Sequence, residues 1–524
     1  MIESRPRWKR FFFQVSGAVA CSAALEVLSL PDAGWSWAAL VAPVPLLWVL
    51  PELGFGGAFL AGWAAKVLAI AGIFHWLIPT AIELAGFPLA GAVGVWVAFS
   101  LAQGLVGGVL GLAIRGTSDL PWPGRWVAIP LAWVAVDAWL PHLFPYGLGH
   151  AFWQSPVWMQ GAEATGIEGT TFVVVLLAAG LVEWLRHPRD RRGVASLGIA
   201  IAVVAGWLGL GALRMEHVLE AEAVAPRIKV LLVQPDIQPS RKTRRDVETR
   251  RGIEDLLIRL SDQGGAASHD LVVWPEGAWP WEWDSHRSGT LGDEARRGAA
   301  VLADTVARWQ RPVLFGTITR PASRSRNSLV LLGPDGVEKA RYDKRRLLAF
   351  GEYMPLRDVF PSIRGRIRGV GDLEEGDSFV PLEVGPFRLA PSICYEAIHG
   401  PFIREAVRAT GASILVNLTN DGWFGPSGAP AQHLMVQVPR AVEQRIPLLR
   451  DTMTGISAVV EASGVVAVRT GIGEATALSV EVPVPDLGPT LFQRLGPWFA
   501  GACGWSTLVL IGWGVGRRRL RPPS

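Results

Sequence analysis

Two kinds of pattern divide the chain. Residues 1–215 and 495–515 carry nearly all the long apolar runs, whereas 220–490 alternates short apolar stretches with charged, amphipathic ones. A helix needs about 20 mostly apolar residues to cross a bilayer. Runs near 12–30, 36–50, 55–78, 88–113, 126–140, 166–185, 195–213 and 497–515 therefore predict eight spans, with 36–50 and 126–140 the shortest. Between 220 and 490 the pattern predicts strands at 227–234, 269–274, 312–317, 327–333, 337–342, 388–393 and 413–418. It predicts helices at 245–262, 292–309, 400–410 and 431–445. Strand–helix alternation with β-rich insertions points to an α/β or layered α+β domain. Its length is enough for one large core. The final span returns the chain to the membrane, so this domain is tethered at both ends.

Composition sharpens the division. Half of the 524 residues are hydrophobic and 18% are charged, against roughly 25% in soluble domains. This excludes a disordered chain and a wholly soluble enzyme. Twenty-four Trp against four Tyr suits a membrane interface, where indole rings settle. Three cysteines, Cys21, Cys394 and Cys503, make neither a disulfide framework nor a zinc cluster, and no HExxH spacing occurs. No metal, cofactor or nucleic-acid partner is expected. Within the spans the charges are Glu26, Lys66 and Asp137; such groups face a bundle interior or a polar cavity, and for Lys66 snorkelling or a helix pair is the favoured reading.

Basic clusters set the orientation. Arg5, Arg7, Lys9 and Arg10 precede the first span, which lacks a clean cleavage site and reads as an uncleaved helix. Arg115 follows the fourth span, Arg186, Arg189, Arg191 and Arg192 the sixth, and Arg517, Arg518, Arg519 and Arg521 the eighth. An N-terminus in the cytoplasm puts all four clusters on that side and the large polar segment on the other. The expected domains are a seven-helix bundle at 1–215, a soluble domain at 216–490, and a last helix with a basic tail at 491–524.

Cys394 is the one cysteine of the polar segment and follows a predicted strand, the place where α/β folds build active sites. Glu276 in VVWPEGAWP lies just past another strand end, with Pro275 turning the chain. Lys344 in RYDKRRLLAFGEYMP follows a third, with Glu352 eight residues on. Taken alone, Glu276 is an ordinary loop carboxylate, Lys344 part of a solvated charge run, and Cys394 as often structural as reactive. Together they form a coherent set. A thiol of pKa ~8.5 needs a base or a nearby cation to attack as thiolate. Glu276 can take its proton, and Lys344 can stabilise first the thiolate and then an oxyanion. His399, at a helix start, suits a capping or surface role.

These residues resemble the nitrilase (carbon–nitrogen hydrolase) superfamily, whose Glu–Lys–Cys triad occurs in this chain order on an αββα sandwich. The matching positions are Glu276 in WPEGAWP, Lys344 in YDKRRLLAFGEYMP and Cys394 in SICYE, with Glu352 at the second glutamate that orients the lysine and cysteine. The membrane halves look like those of bacterial apolipoprotein N-acyltransferases. Further matches are PYGLGHAFWQSP, GAEATGIEGTTF, LVQPDIQPSRK, RNSLVLL, NLTNDGWFG and QHLMVQVPRAVEQRIPLLR. Two positions depart from that pattern: Thr243 where a tryptophan is usual and Met453 where an asparagine is usual; both bear on acyl-chain or acceptor preference.

The resemblance implies a polytopic bundle plus a nitrilase-like αββα domain on the periplasmic side of the bacterial inner membrane. It implies a ping-pong reaction in which Cys394 takes an acyl chain from a phospholipid and passes it to the N-terminal amine of a diacylated apolipoprotein. Glu276 serves as base, and the backbone N–H of Tyr395 with Lys344 forms the oxyanion hole. Glu396 supports the site or lies at the surface, at equal odds. Trp279, with Trp281 and Trp283, is expected with Phe350, Met354, Trp423 and Phe424 to form an apolar mouth facing the membrane, or else to pack between loops. Asn327 and Gln432 are candidate polar contacts, and a monomer is expected. The alternative is a membrane-tethered amidase acting on a soluble carbon–nitrogen substrate.

Overall fold

The computed structural model describes residues 7–238, 246–283, 290–320, 324–355 and 371–519. Thr243 lies outside the described residues. The chain forms two compact units, one of residues 1–78, 89–215 and 494–524 and one of 79–88 and 216–493.

Six helices of the first unit are long and apolar enough to cross a membrane: Arg7–Leu28, Phe55–Ile73, Leu89–Thr117, Ile167–Arg186, Arg191–Val224 and Trp498–Arg519. Two of the eight expected spans differ. The run at 36–50 is not one helix but three short pieces, Ser36–Leu40, Pro43–Val49 and Leu50–Glu52. Pro43 and Pro45 lie in it and Pro51 follows it, and each removes a backbone donor from the ladder. The run at 126–140 becomes Gly124–Trp139, 16 residues with Pro130 inside, about 24 Å long against a hydrocarbon core of about 30 Å.

Helices 55–73 and 89–117 pack through glycine. A Cβ added at Gly62 would fall 2.1 Å from the carbonyl of Gly107, and one at Gly111 would fall 2.1 Å from that of Ala58. Backbones this close gain dispersion contact that larger residues would prevent, which is how helices associate where lipid removes the hydrophobic drive.

Contacts at the helix ends fix where the basic residues lie. Arg115 Nε donates to Leu53 O at 2.7 Å, and Arg186 donates to Trp48 O, so both sit where the chain enters helix 55–73. At the far end of that helix, a Cβ on Gly72 would strike Val27, near the end of helix 7–28. Gly514, close before Arg517, packs against the backbone of Gly116. Arg115, Arg186, Arg517 and the start of helix 7–28 thus share one end of the bundle. Residues 36–52 cross its length, since Trp35 N bonds Leu28 O at the opposite end.

Inside the bundle Lys66 Nζ donates to Glu26 Oε1 at 2.7 Å, Tyr146 Oη donates to the same oxygen at 2.9 Å, and Nζ lies 4.6 Å from the Tyr146 ring. The pair is the helix-pair reading of Lys66, between helices 7–28 and 55–73.

The second unit is a sandwich of two six-stranded sheets. One has the order β12-β1-β2-β3-β4-β5 and the other β11-β10-β9-β8-β7-β6. The strands are β1 Arg227–Gln234, β2 Leu271–Trp274, β3 Val313–Thr319, β4 Arg326–Leu332, β5 Glu338–Asp343, β6 Leu382–Val384, β7 Phe387–Ile393, β8 Ile414–Thr419, β9 Leu448–Thr452, β10 Ala458–Val460, β11 Val466–Arg469 and β12 Thr476–Pro483. Alternate residues of β1 to β3 face opposite ways, as the period of two demands. Val230, Leu232, Val273 and Leu314 meet Ile393, Val416, Leu418 and Leu449 between the sheets. Leu231, Val233, Trp274 and Phe315 pack outward with residues of helices Val247–Gln263 and Thr290–Trp309. Helices Gly400–Thr410 and Ala429–Gln444 complete the four layers.

The seven expected strands and four expected helices are present to within a few residues. β6 and β9 to β12 were not expected. β6, β10 and β11 are short and β9, LLRDT, carries buried charges, so these lack an alternating signature; β12, TALSVEVP, alternates and was missed.

Replacing Lys66 by Met strands Glu26 in the bundle, and removing one partner of a buried pair typically costs about 3 kcal/mol or more. We expect a clear drop in the thermal midpoint of the detergent-solubilised protein, partly restored in the Glu26→Gln, Lys66→Met double variant. Equal midpoints for the single variant and wild type would contradict the buried pair.

Candidate active site

Three strand ends and one turn supply the polar groups. Glu276 follows β2, Lys344 follows β5 and Cys394 follows β7. A tight turn between Leu348 and Tyr353 presents Glu352 inward: Glu352 N donates to Leu348 O, and Phe350 N donates to Tyr353 O. Phe350 takes φ +65° and is 58% exposed on the outside of that turn.

Lys344 is almost completely buried. Its Nζ lies 2.8 Å from a Glu352 oxygen and 3.6 Å from Glu276 Oε1. Asn327, on β4, bridges the same two carboxylates, donating Nδ2 to Glu276 Oε1 at 2.7 Å and to Glu352 Oε1 at 3.0 Å. The Glu352 Oε2 atom accepts from Leu348 N at 2.8 Å. Burial disfavours the ammonium, but Glu352, then Glu276 and the thiol, reverse this and hold its pKa above the ordinary lysine value. Lys344 is therefore a fixed cation.

Cys394 takes φ +51°, a left-handed backbone that non-glycine residues adopt at some cost and that often marks functional sites. Neighbouring groups hold the kink. The Asn417 Nδ2 atom donates to Cys394 O at 3.3 Å and to Ser392 Oγ at 3.1 Å. Glu396 Oε2 accepts from Ile393 N at 2.7 Å. Glu396 Oε1 accepts from Tyr342 Oη, Arg345 N and Arg346 N at 2.7 to 2.9 Å. Of the two places open to Glu396, the surface is excluded, since it is fully buried. Burial pushes its carboxyl up to about 7, against Lys344 and these donors. Burial likewise pushes the Cys394 thiol up to about 12, the negative charge of Glu276 adding to the shift and Lys344 opposing it. The thiol is therefore protonated in this setting.

The aromatic mouth is only partly as expected. Trp279, Trp281 and Trp283 are at most 9% exposed and belong to the core between the first sheet and its helices. The Trp279 ring stacks on Trp274, with centroids 6.0 Å apart. Trp281 Nε1 donates to Glu254 and Trp283 Nε1 to Glu338. Acids from distant elements satisfy these indoles, so burial replaces the predicted open mouth. Phe350 is exposed, and Met354, Trp423 and Phe424 are half-buried. Gln432 is buried in the first turn of helix 429–444. Tyr395 is buried and meets His399 edge-on at 4.8 Å. Met453 is fully buried in the Trp274–Trp279 cluster, and its backbone bonds Thr419 O and Asp236 N.

Sequence reasoning named none of a second polar cluster. Asp421, just past β8, accepts from Arg450 Nη2 at 2.6 Å and from His433 Nδ1 at 2.8 Å. Burial opposes the charge on Asp421, but Arg450 and His433 outweigh it and hold its carboxyl below the usual range. The signal was Arg450 inside the apolar run IPLLR, because a buried guanidinium requires an acid.

With this geometry in view, comparison with known proteins is direct. The family model of the carbon-nitrogen hydrolases matches residues 229–491, and that of the apolipoprotein N-acyltransferase N-terminal domain matches 22–180. An apolipoprotein N-acyltransferase of Geobacter metallireducens is 31% identical over 92% of this chain and 92% of its own. The chain belongs to the apolipoprotein N-acyltransferase family. A Bdellovibrio bacteriovorus relative of the same name is 27% identical over 99% of this chain and 97% of its own. A solved nitrilase-superfamily amidase from Nesterenkonia AN1 is 18% identical, covering 50% of this chain and 93% of its own at a TM-score of 0.37.

Because the Glu276 charge holds the thiol proton on, replacing Glu276 by Gln lowers the pKa of Cys394. We expect the pH midpoint of Cys394 alkylation by iodoacetamide to move down in that variant while acyl transfer falls. A midpoint that stays put or rises would remove Glu276 from the neighbourhood of the sulfur.

Proposed function

We propose that this chain moves an acyl chain from a phospholipid to the N-terminal amine of the diacylglyceryl cysteine of an apolipoprotein, through a thioester on Cys394. The observation that carries this reading is the Lys344 ammonium locked between Glu276 and Glu352, with its charge acting on the Cys394 thiol. All of these groups stand in a carbon–nitrogen hydrolase domain joined to an acyltransferase bundle.

In the first half-reaction Glu276 takes the thiol proton as Sγ attacks the ester carbonyl, and returns it to the departing alkoxide of the lysophospholipid. Lys344 and the Tyr395 N–H neutralise the oxyanion. In the second, the acceptor amine attacks the thioester and Cys394 leaves. Both lipids are confined to the bilayer, which raises their encounter frequency with a tethered domain. Phe350, Met354, Trp423 and Phe424 serve the acyl chains.

The catalytic domain lies on the periplasmic side of the inner membrane. Supporting this are the basic residues Arg115, Arg186 and Arg517 at one end of the bundle, since Lys and Arg accumulate in the cytoplasm.

Purified protein given labelled phospholipid is expected to retain label as a hydroxylamine-sensitive thioester, and Cys394→Ala to retain none and transfer none to a diacylated lipopeptide. Unlabelled wild type that cleaves a small amide would favour an amidase instead. In intact cells with the outer membrane permeabilised, an impermeant thiol reagent is expected to label Arg259→Cys and not Pro188→Cys. The reverse pattern would invert the topology.

A further inference from the structure

We propose that His433, held by Asp421 and Arg450, is the base that removes the proton from the acceptor's ammonium before the thioester is attacked. This inference rests on the thioester reading above and deepens its second half.

Proton accounting leaves one proton for such a group to carry. The acceptor arrives as an α-ammonium, because α-amino groups titrate near pH 8. An ammonium has no lone pair and cannot attack. The new N–C bond forms and the C–S bond breaks, turning R–NH3+ and the thioester into an amide, the Cys394 thiol and one free proton. Glu276 carries one proton from the nitrogen of the tetrahedral intermediate to the departing sulfur. The other leaves before attack and has to reach solvent by a second acceptor. In the first half-reaction no net proton is released, so that step does not need one.

The geometry supplies this second acceptor beside the first. His433 is nine-tenths buried, and its Nδ1 lies 2.8 Å from Asp421 Oδ1. A carboxylate only accepts, so Nδ1 carries the hydrogen and the lone pair falls on Nε2. The Asp421 carboxylate is itself fixed by Arg450 Nη2 at 2.6 Å, and that nitrogen also lies 3.4 Å from His433 Nδ1. The charged groups acting on the ring are thus Asp421, Arg450 and Glu276. Glu276 also acts on Cys394, as does Asp421, so the carboxylate–imidazole pair and the thiol share one electrostatic pocket. Topology gives the reason: β7, β8 and β9 run parallel and adjacent, so Cys394 and Asp421 follow the carboxyl ends of neighbouring strands, and Arg450 of β9, level with Asn417 of β8, lies near the same end. Burial outweighs the pull of Asp421 and lowers the imidazole's pKa, so the ring is neutral and presents a lone pair; proton transfer to it from the ammonium is uphill and is drawn on by the attack that follows. Phe424 meets the His433 ring edge-on at 6.5 Å, which places the pair beside the loop assigned to lipid.

The test separates the half-reactions in full-length His433→Gln. Thioester formation from labelled phospholipid serves as the internal reference for folding. Single-turnover transfer to a diacylated lipopeptide at pH 7 is expected to fall about tenfold, since roughly one amine in ten is already unprotonated one pH unit below its pKa of about 8. Transfer in the variant is expected to climb about tenfold per pH unit until the amine deprotonates near pH 8, while wild type changes less. Transfer at the wild-type rate, a pH profile parallel to wild type, or an equal loss in both half-reactions would each overturn the assignment. Failure of wild type to form a thioester would instead sink the function proposed above. Should His433→Gln not fold, His433→Asn is measured in the same way, with the same outcomes deciding.

Discussion

Lys344 Nζ stands 2.8 Å from Glu352 and 3.6 Å from Glu276 with 1% of its side chain exposed. An ammonium can be stripped of water to that degree only when anions replace the lost solvation. The demand propagates outward. Two carboxylates around one cation leave an excess of negative charge, and Asn327 takes up part of it by donating to both. Glu352 in turn needs the turn from Leu348 to Tyr353 to hold it in place. The sulfur then lies in a field that the cation and Glu276 pull in opposite directions. That balance leaves the thiol protonated while a cation stands near it.

The molecule also shows which signals survive in a linear sequence. Glu276 and Cys394 were legible because each follows an apolar strand, and a polar residue at such a strand end is exposed by the pattern itself; Lys344 follows the charged strand EKARYD and stood out less. The resemblance then tied three separately ambiguous residues together. The tryptophans after Glu276 misled for a physical reason. Alternation in WPWEW looks like a strip with one wet face, yet Glu254 and Glu338, far away in sequence, reach the indole nitrogens and allow burial. The Asp421–His433–Arg450 cluster was hidden because its members sit on a loop, a helix and a strand, and only the parallel pairing of β8 with β9 unites two of them. Periodicity also counted residues 36–50 as a span without weighing its prolines.

The membrane half follows a different rule. Its helices do not gain much by hiding from water, so close backbone contact along Gly62, Gly107 and Gly111 and the Glu26–Lys66 pair hold the bundle alongside its buried apolar cluster. The segment 36–52 crosses the bundle without a continuous helix. Backbone groups freed by its breaks are tolerated because neighbours such as Arg186 bond them.

Glu396 joins the backbone just after β5, in one sheet, to the tip of β7 in the other, with four hydrogen bonds from a single carboxylate. Facing sheets of a sandwich are held mainly by side-chain packing, which resists separation better than sliding, and here Gln234 with Thr452 and Asp236 with Met453 add hydrogen bonds elsewhere between them. The Glu396 clamp resists shear beside Cys394 and Lys344, and oriented reactions demand register to a fraction of an ångström. Damage far out on either sheet can therefore slow chemistry without touching any reacting group, by letting the layers slip.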